Sequence, residues 1–375
     1  MAEKTHPSRP NSGRDAAGDM SSSCTRTSMS VALYIPTSYS LGNPASGALR
    51  LAQGLRQEIA AAGRVELSTV DPWSKNRSID LDVVHAIGFD SNMASVLPNR
   101  AYGSVVHAIH DSLMPTWRYR LAVRAGLTVP RIDTIPAQKA KLYRAVDVVV
   151  AMSENERGRI CESFGISPER VRVVHCAVGP RIDVPESRRL EVLQRLSLPP
   201  RFALALCDYG SPRKNILRLV QAVRPTGIPL VLAGYASRGT YLDRIRAEAL
   251  GASNIAIRGP IADSDVPALY ASWSVYCQPS REEGAGLSAM EAASYGANVI
   301  ATSVGGIREH LGPSACYVAP SSTNEIVDAV RTAWETPLTG GVGRFVIEER
   351  NWAASVAEMM SAYELAGAVR RARSN

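Results

Sequence analysis

Two glutamates frame the stretch of this chain that is richest in chemistry: Pro279-Ser-Arg-Glu-Glu283-Gly-Ala-Gly-Leu-Ser-Ala-Met-Glu291-Ala-Ala-Ser-Tyr-Gly296. A carboxylate, a turn containing Gly284 and Gly286, a helix start at Leu287 and a second carboxylate one turn further on follow in order. Bare backbone N–H groups at a glycine turn and a helix N-terminus attract a diphosphate. The carboxylates repel that charge. An ionised Glu accepts two hydrogen bonds, so each suits a hydroxyl pair on either side of the diphosphate. Together these features suit a sugar nucleotide. A rival reading exists, because Gly284-Ala-Gly286-Leu-Ser-Ala289 fits the GxGxxA dinucleotide fingerprint. That fingerprint calls for an acid ending the next strand, to hold a ribose. The next strand ends Ile300-Ala-Thr-Ser303 without one, and Glu283 stands directly before the motif, which disfavours a dehydrogenase.

Arg213 and Lys214 follow a predicted strand, Phe202–Cys207, and open the next helix. A permanent guanidinium and an ammonium would neutralise a departing diphosphate. Solvated cations are the simpler account, but positive charge is unfavourable at a helix N-terminus, so a compensating anion is expected. His110 and Asp111 end another predicted strand, where an open α/β sheet binds ligands. A single His is more often structural. His107 is read that way, and His85, at another strand end, is a weaker site candidate. The segment Gly42-Asn-Pro-Ala-Ser-Gly47 follows the first strand, and its small residues allow a ligand near the backbone as readily as they make a plain turn. The pairs Asp80-Leu-Asp82 and Asp263-Ser-Asp265 could hold a divalent metal beside a diphosphate. Asp82 leads straight into a strand and Asp265 is placed as a helix cap, so no catalytic metal is expected.

Elements must position these groups. Short apolar runs alternate with helical patterns: strands over Ser30–Ile35, Val65–Val70, Val83–Ile87, Ser104–Ile109, Val146–Met152 and Val171–His175, with helices over Ser46–Ala62, Ala137–Ala145 and Glu154–Phe164. Pro180–Pro200, charged and bounded by prolines, reads as a linker. A second cycle follows, with strands over Phe202–Cys207, Pro229–Ala233, Ile255–Arg258, Val275–Gln278 and Asn298–Thr302 and helices between them. The alternation predicts an α/β protein with two doubly wound, Rossmann-like domains facing a cleft at the carboxyl ends of their strands. The expected division is a disordered leader over 1–28, an acceptor-side domain over 29–190, a nucleotide-sugar-binding domain over 191–340, and a helical tail over 341–375 packing across the junction.

A length of 375 residues favours two domains over one core. With 45% hydrophobic and 21% charged residues the composition is that of a soluble globular enzyme, and no run reaches the apolar length of a membrane span. The six cysteines are scattered without a CxxC pair, which argues against a zinc site or disulfide framework and for a cytoplasmic setting. The net charge of +7 fits anionic small molecules, an anionic membrane or nucleic acid without choosing among them. No nucleic-acid-binding motif is present. Met114–Ala145 carries Arg118, Arg120, Arg124, Arg131, Lys139, Lys141 and Arg144 against one acid, Asp133, with Trp117 and Tyr119 interleaved. That stretch suits anionic lipid or a lipid-linked acceptor at the inner face of the plasma membrane. A solvated basic surface is the simpler account.

The C-terminal half resembles the retaining nucleotide-sugar glycosyltransferases of family 4, which have the GT-B fold. Their consensus, close to P-S-x-x-E-G-F-G-L-P-x-x-E-A-M-A-x-G-x-P-V-I-A, runs from Pro279 to Ala301 here, with Ala285 for the Phe and Ser288 for the second Pro. The resemblance extends to Val304-Gly-Gly-Ile-Arg-Glu309-His-Leu-Gly312 and Ser211-Pro-Arg213-Lys214-Asn215, and more loosely to Ser153-Glu-Asn-Glu, Ile166–Val174 and Val106-His-Ala-Ile-His110-Asp111. It implies that Glu283 binds hydroxyls of the donor sugar, that Glu291 takes the ribose diol, and that the N–H groups of Gly286 and Leu287 face the diphosphate. It further implies that His110 contacts the donor sugar near its reacting carbon, and that Gly47 belongs to the family's glycine-rich turn, where donor or acceptor approaches the backbone. One departure is visible. The family often places a Gly-Arg pair five to six residues before the Lys, where Asp208 and Tyr209 stand here, so the second phosphate cation is Arg213 or is missing. The implied activity is transfer of a hexose-like sugar, with retained configuration, from a GDP-mannose-like or UDP-sugar donor to a glycan or lipid-linked hydroxyl, without cofactor or metal. Surface polysaccharide synthesis is the implied setting. An epimerase, a phosphorylase and a non-catalytic sugar-nucleotide-binding subunit share the architecture. Turnover of donor alone, a need for inorganic phosphate, or binding without transfer would mark them.

Overall fold

A computed structural model describes residues 28–35, 47–69, 81–90, 93, 97, 101–108, 116–129, 134–272 and 275–374. Residues 1–27 of the leader, residues 42–46, Asp80, His110, Asp111, Arg131 and Asp133 lie outside the described residues.

Two parallel six-stranded sheets form the frame. In the first, β1 (Met29–Tyr34), β2 (Val65–Thr69), β3 (Val83–Ile87), β4 (Gly103–His107), β5 (Val148–Ala151) and β6 (Val171–Val173) take the order β2-β1-β3-β4-β5-β6. In the second, β7 (Ala203–Leu206), β8 (Leu230–Ala233), β9 (Ile255–Ile257), β10 (Val275–Gln278), β11 (Asn298–Thr302) and β12 (Cys316–Val318) take the order β12-β11-β10-β7-β8-β9. Helices cover both faces, so β3, β5, β8 and β10 are buried throughout, which is why they are apolar apart from His85 and Gln278. Strand order reverses between β1 and β3 and between β7 and β10, where Val275 of β10 lies opposite Ala203 of β7. Ligands of open α/β sheets bind at the carboxyl ends of strands beside such a reversal.

Several elements differ from the sequence expectation. The stretch read as a linker contains a helix, Glu186–Arg195, whose Val192 and Leu193 are buried. Its Arg188 and Arg195 hold Asp265, at 2.7 and 2.8 Å, so the helix belongs with the second sheet and a boundary at 190 would cut it. Asp265 is consequently not a side-chain cap. It precedes the Val266–Tyr270 helix but makes no capping bond. The short helix Ile307–Leu311 and β12 have too few residues to show a period. Within the basic stretch Met114–Ala145, residues Thr116–Thr128 form a helix.

The tail forms two helices. Gly341–Glu349 packs on the Leu287–Ser294 helix of the second domain, and Trp352–Ser374 crosses to the first domain, against β3, β4, β5 and the Gly47–Ala61 helix. The chain breaks at Asn351, whose Oδ1 accepts from the Ala354 N–H at 3.0 Å. Tyr363 reaches the first core and bonds His85 Nδ1 at 2.8 Å. The crossing helix lies so close to β4 that a Cβ on Gly103 would sit 2.6 Å from the Ala366 carbonyl oxygen. Backbone cannot swing aside as a side chain can. Gly103→Val is therefore expected to lower unfolding stability by roughly 2–4 kcal/mol, read by denaturant titration; an unchanged midpoint would contradict this packing.

Candidate functional site

The loops after β7 and β10 meet at the strand reversal of the second sheet. After β7, Asp208 folds the chain back: its carboxylate accepts from the N–H groups of Gly210 (3.2 Å) and Ser237 (2.8 Å) and from Ser237 Oγ (2.5 Å). Arg213 and Lys214 then sit in a single 3-10 turn, Pro212–Lys214, just outside the following helix Ile216–Val223. Asn215 adopts the left-handed conformation (φ 58°), and its Nδ2 donates to the carbonyls of Pro279 (2.9 Å) and Pro320 (2.8 Å). This amide staples the β7 loop to the β10 loop. The Arg281 N–H adds a bond to the Arg213 carbonyl at 2.8 Å.

Between those loops lies Glu283, only 5% exposed. Lys214 Nζ stands 2.6 Å from its Oε1, Arg213 Nη1 2.9 Å from its Oε2, and Ser280 Oγ donates to Oε1 at 2.7 Å. Burial opposes ionisation of this carboxyl, but Lys214, Arg213 and the hydrogen bonds from Lys214 and Ser280 outweigh it and hold the group well below the usual carboxylate range. The compensating charge that the two cations called for is thus Glu283. Its backbone is fixed as well: the Glu283 N–H donates to Val304 (3.2 Å) and its carbonyl accepts from Gly306 (2.9 Å).

The helix Leu287–Ser294 starts directly after the buried Gly284-Ala-Gly286 turn. Gly286 has φ +73°, a conformation that favours glycine, and a Cβ there would push against Ile307 Cδ1 at 2.5 Å. The first-domain helix begins at the same place: a Cβ on its first residue, Gly47, would contact Leu287 Cδ1 at 3.4 Å. The starts of the two helices therefore lie close together, a field suited to an anion. One turn into each helix, Arg50 Nη1 meets Glu291 Oε1 at 2.9 Å, while Tyr270 donates to Glu291 Oε2 at 3.0 Å. Glu291 opens on a cavity of about 280 Å³ whose lining includes Arg50, Asp263, Val266, Tyr270 and Tyr295.

The first domain closes the site through other charged contacts. Arg159 pairs with Glu282, whose carbonyl also accepts from Arg213 Nη1 at 3.2 Å. Glu309 accepts from the N–H groups of Glu154 (2.7 Å) and Asn155 (3.0 Å), capping the first turn of the Glu154–Phe164 helix across the junction. His310 takes one tautomer: Nδ1–H donates to the Gly306 carbonyl (3.1 Å) and Nε2 accepts from the Cys176 N–H (3.2 Å).

The structure thus brings together Arg213, Lys214, Glu283, Gly284, Gly286, Leu287, Glu291 and Gly47. His85 and His107 lie deep in the first core, their rings stacked at 5.9 Å, and burial lowers both, His107 to about 4. His85 is accordingly structural, tied to Tyr363. Asp82 is structural too: it accepts from the Ser30 N–H (3.0 Å) and pairs with Arg370 (2.7 Å). Tyr209, at the position of the family's Arg, is buried, and Arg213 stands beside Lys214 instead. Sequence reasoning passed over Arg50, Arg159, Asn215, Ser280 and Tyr270. Asn215 and Ser280 carried a signal, being embedded in the matched motifs; the other three did not.

Fold and site define a GT-B protein: twin Rossmann-like domains with an anion-attracting turn at the second sheet's reversal. Profiles of two family halves match the chain, "Glycosyltransferase Family 4" over residues 64–181 and "Glycosyl transferases group 1" over 203–336. The chain belongs to this family of glycosyltransferases. It is 28% identical over 276 residues to the serotype-specific mannosyltransferase WbdA of Escherichia coli, covering 69% of this chain and 32% of that protein. It is 26% identical over 239 residues to the MMP alpha-(1->4)-mannosyltransferase of Mycolicibacterium hassiacum, covering 60% of this chain and 56% of the relative. The chain thus spans between a third and just over half of these relatives. Among solved structures, Anabaena HepE, crystallised with UDP and glucose, superposes with a TM-score of 0.68 at 16% identity, covering 90% of this chain and 99% of that one.

The junction yields a pH prediction. Burial is the largest influence on His310 and pushes it down to about 3, against 6.5 when unfolded. Unfolding therefore takes up a proton that the folded ring refuses, and stability present above pH 6.5 is lost progressively as pH falls toward 3. His310→Gln removes that uptake. Its unfolding free energy should vary with pH between 6.5 and 4 less steeply than the wild type's, by up to about 1.4 kcal/mol per unit. Parallel slopes in denaturant titrations would contradict a neutral buried His310.

Proposed function

We propose that this protein transfers a sugar from a nucleoside diphosphate sugar to an acceptor hydroxyl, with retained anomeric configuration. The observation carrying this reading is the buried Glu283 carboxylate clamped by Lys214 and Arg213 just before a glycine turn and helix start. Donor binding exchanges partners at this point. The diphosphate takes the Leu287 and Gly286 N–H groups and draws Lys214 and Arg213 toward itself. Glu283, relieved of part of its pairing, accepts from sugar hydroxyls. Glu291 accepts from the ribose diol, and the base enters the adjoining cavity. The family resemblance assigns His110 a contact with the donor sugar.

In the reaction the acceptor oxygen bonds to the anomeric carbon as the bond to the diphosphate oxygen breaks on the same face. The leaving phosphate takes the acceptor proton, while Lys214, Arg213 and the helix start stabilise its charge. No protein nucleophile and no metal is required by this scheme. Relatives named as mannosyltransferases favour a mannosyl group, as in GDP-mannose, whereas HepE's UDP and glucose keep UDP-sugars in view. The acceptor is a glycan or lipid-linked hydroxyl in surface polysaccharide synthesis, and the setting is cytoplasmic. Nucleic acid has no part in it.

The test is steady-state transfer from GDP-mannose and UDP-glucose to an oligosaccharide acceptor. Glu283→Gln should lower kcat/KM by roughly 100-fold or more while the protein stays folded. Lys214→Ala should lower kcat more than it raises donor KM, because leaving-group charge develops only in the transition state. Full turnover in Glu283→Gln would overturn the assignment, and an effect of Lys214→Ala on KM alone would reduce that residue to a binding role.

A further inference from the structure

Directly before Glu283 stands a second buried carboxylate that the donor exchange leaves unused. Glu282 is 4% exposed, and Arg159 of the first domain pairs with its Oε1. Its backbone carbonyl is held as well, by Arg213 Nη1 at 3.2 Å, the same nitrogen that stands 2.9 Å from Glu283 Oε2. Two guanidiniums thus divide one residue between them: Arg159 takes the side chain and Arg213 the main chain. Arg159 is presented from a fixed base. Its helix, Glu154–Phe164, is pinned to the second domain by Glu309 on the Glu154 and Asn155 N–H groups. Gly306 lies so near the helix start that a Cβ there would run into Ser153 Oγ. On the same helix Glu156, buried, accepts from the Met152 N–H at 2.7 Å and lies in the field of Arg159 and of Lys139 from the Ile135–Ala145 helix.

Resting on the transferase reading above, we propose that Arg159 is a positioning residue: acting through Glu282, it keeps Arg213 available to the donor diphosphate. A carboxylate taken out of water requires a cation. Burial is the largest influence on Glu282 and raises it; Arg159 is the largest influence in the other direction, followed by Arg213. Without Arg159, Arg213 is the next cation within reach. The Glu282 carboxylate then competes for the guanidinium that the diphosphate needs, and Arg213 is drawn off Glu283. Glu283 sharpens the competition, because its negative charge opposes ionisation of Glu282 beside it. A plain bridge between the domains is the alternative. A bridge stabilises the junction as a whole, and replacing either partner breaks it. The positioning role makes Arg159 necessary only while the side chain at 282 is an anion.

The test compares the full-length wild type with Arg159→Ala, Arg159→Lys and the double variant Arg159→Ala/Glu282→Gln, each checked for cooperative thermal unfolding. Where Arg159→Ala unfolds, Arg159→Gln, which fills similar space without charge, takes its place. Calorimetric titration with GDP, UDP and ADP reads affinity without any transfer. Steady-state transfer from GDP-mannose and UDP-glucose reads kcat and KM. Arg159→Ala should bind the preferred nucleotide about ten-fold more weakly and lower kcat by about ten-fold, since Arg213 serves both the bound diphosphate and the leaving group. Arg159→Lys keeps the charge, and the contact runs through one nitrogen, so it should stay within about three-fold of the wild type. The double variant should recover affinity and kcat to within about three-fold, because a neutral side chain at 282 makes no claim on Arg213. A loss that Glu282→Gln does not restore marks a plain bridge and overturns the proposal, as does unchanged affinity and turnover in Arg159→Ala. Wild type that binds a nucleotide but transfers no sugar overturns the transferase reading, while the affinities still decide on Arg159. Absence of binding to all three nucleotides overturns both.

Discussion

A carboxylate removed from water is tolerable only if cations and donors replace its hydration, and Glu283 is such a group. Lys214 and Arg213 come from the end of β7, Ser280 and Glu283 itself from the end of β10, and Asn215 ties the two loops together. The need to satisfy one buried charge therefore fixes two loops, two cations and the approach to a helix start. It also stores the means of its own exchange. Arg213, Lys214 and Arg159 face Glu283 and Glu282, so the cluster keeps one positive charge in excess. A diphosphate can share those cations and leave the carboxylate with capacity for sugar hydroxyls.

The same logic joins the domains. Their junction is built from directional polar contacts: Glu309 on the N–H groups of the Glu154–Phe164 helix, His310 between Gly306 and Cys176, Arg159 on Glu282, and Arg50 on Glu291. Two of these, Arg159 on Glu282 and Arg50 on Glu291, tie the first domain to the Glu283–Glu291 segment. The long C-terminal helix provides the apolar counterpart, fixed against β4 at Gly103 and against His85 through Tyr363.

How much of this the sequence disclosed depends on the range of each interaction. The Glu283–Glu291 spacing, the glycine turn and the helix start lie within a few residues of one another, and local pattern sufficed. Parallel buried strands announced themselves as apolar runs. Arg50 gave no sign, because nothing local distinguishes an arginine on an amphipathic helix from one that reaches a carboxylate 241 residues away. Arg213 and Lys214 were legible as cations awaiting an anion, but the anion that the fold supplies is Glu283, brought there by the sheet. The Glu186–Arg195 helix was hidden because it buries only Val192 and Leu193, and its ion-pair partner for Arg188 and Arg195, Asp265, is distant in sequence. The Thr116–Thr128 helix was hard to see because its outward face carries Trp117 and Leu121, which blur the usual period.

The most direct measurement is a crystal structure with an intact donor analogue whose sugar cannot be transferred. The account places the diphosphate within hydrogen-bonding distance of the Leu287 N–H and Lys214 Nζ, a sugar hydroxyl on Glu283, and the ribose on Glu291. Density for the analogue elsewhere, with Glu283 still closed on Lys214 and Arg213, would contradict it.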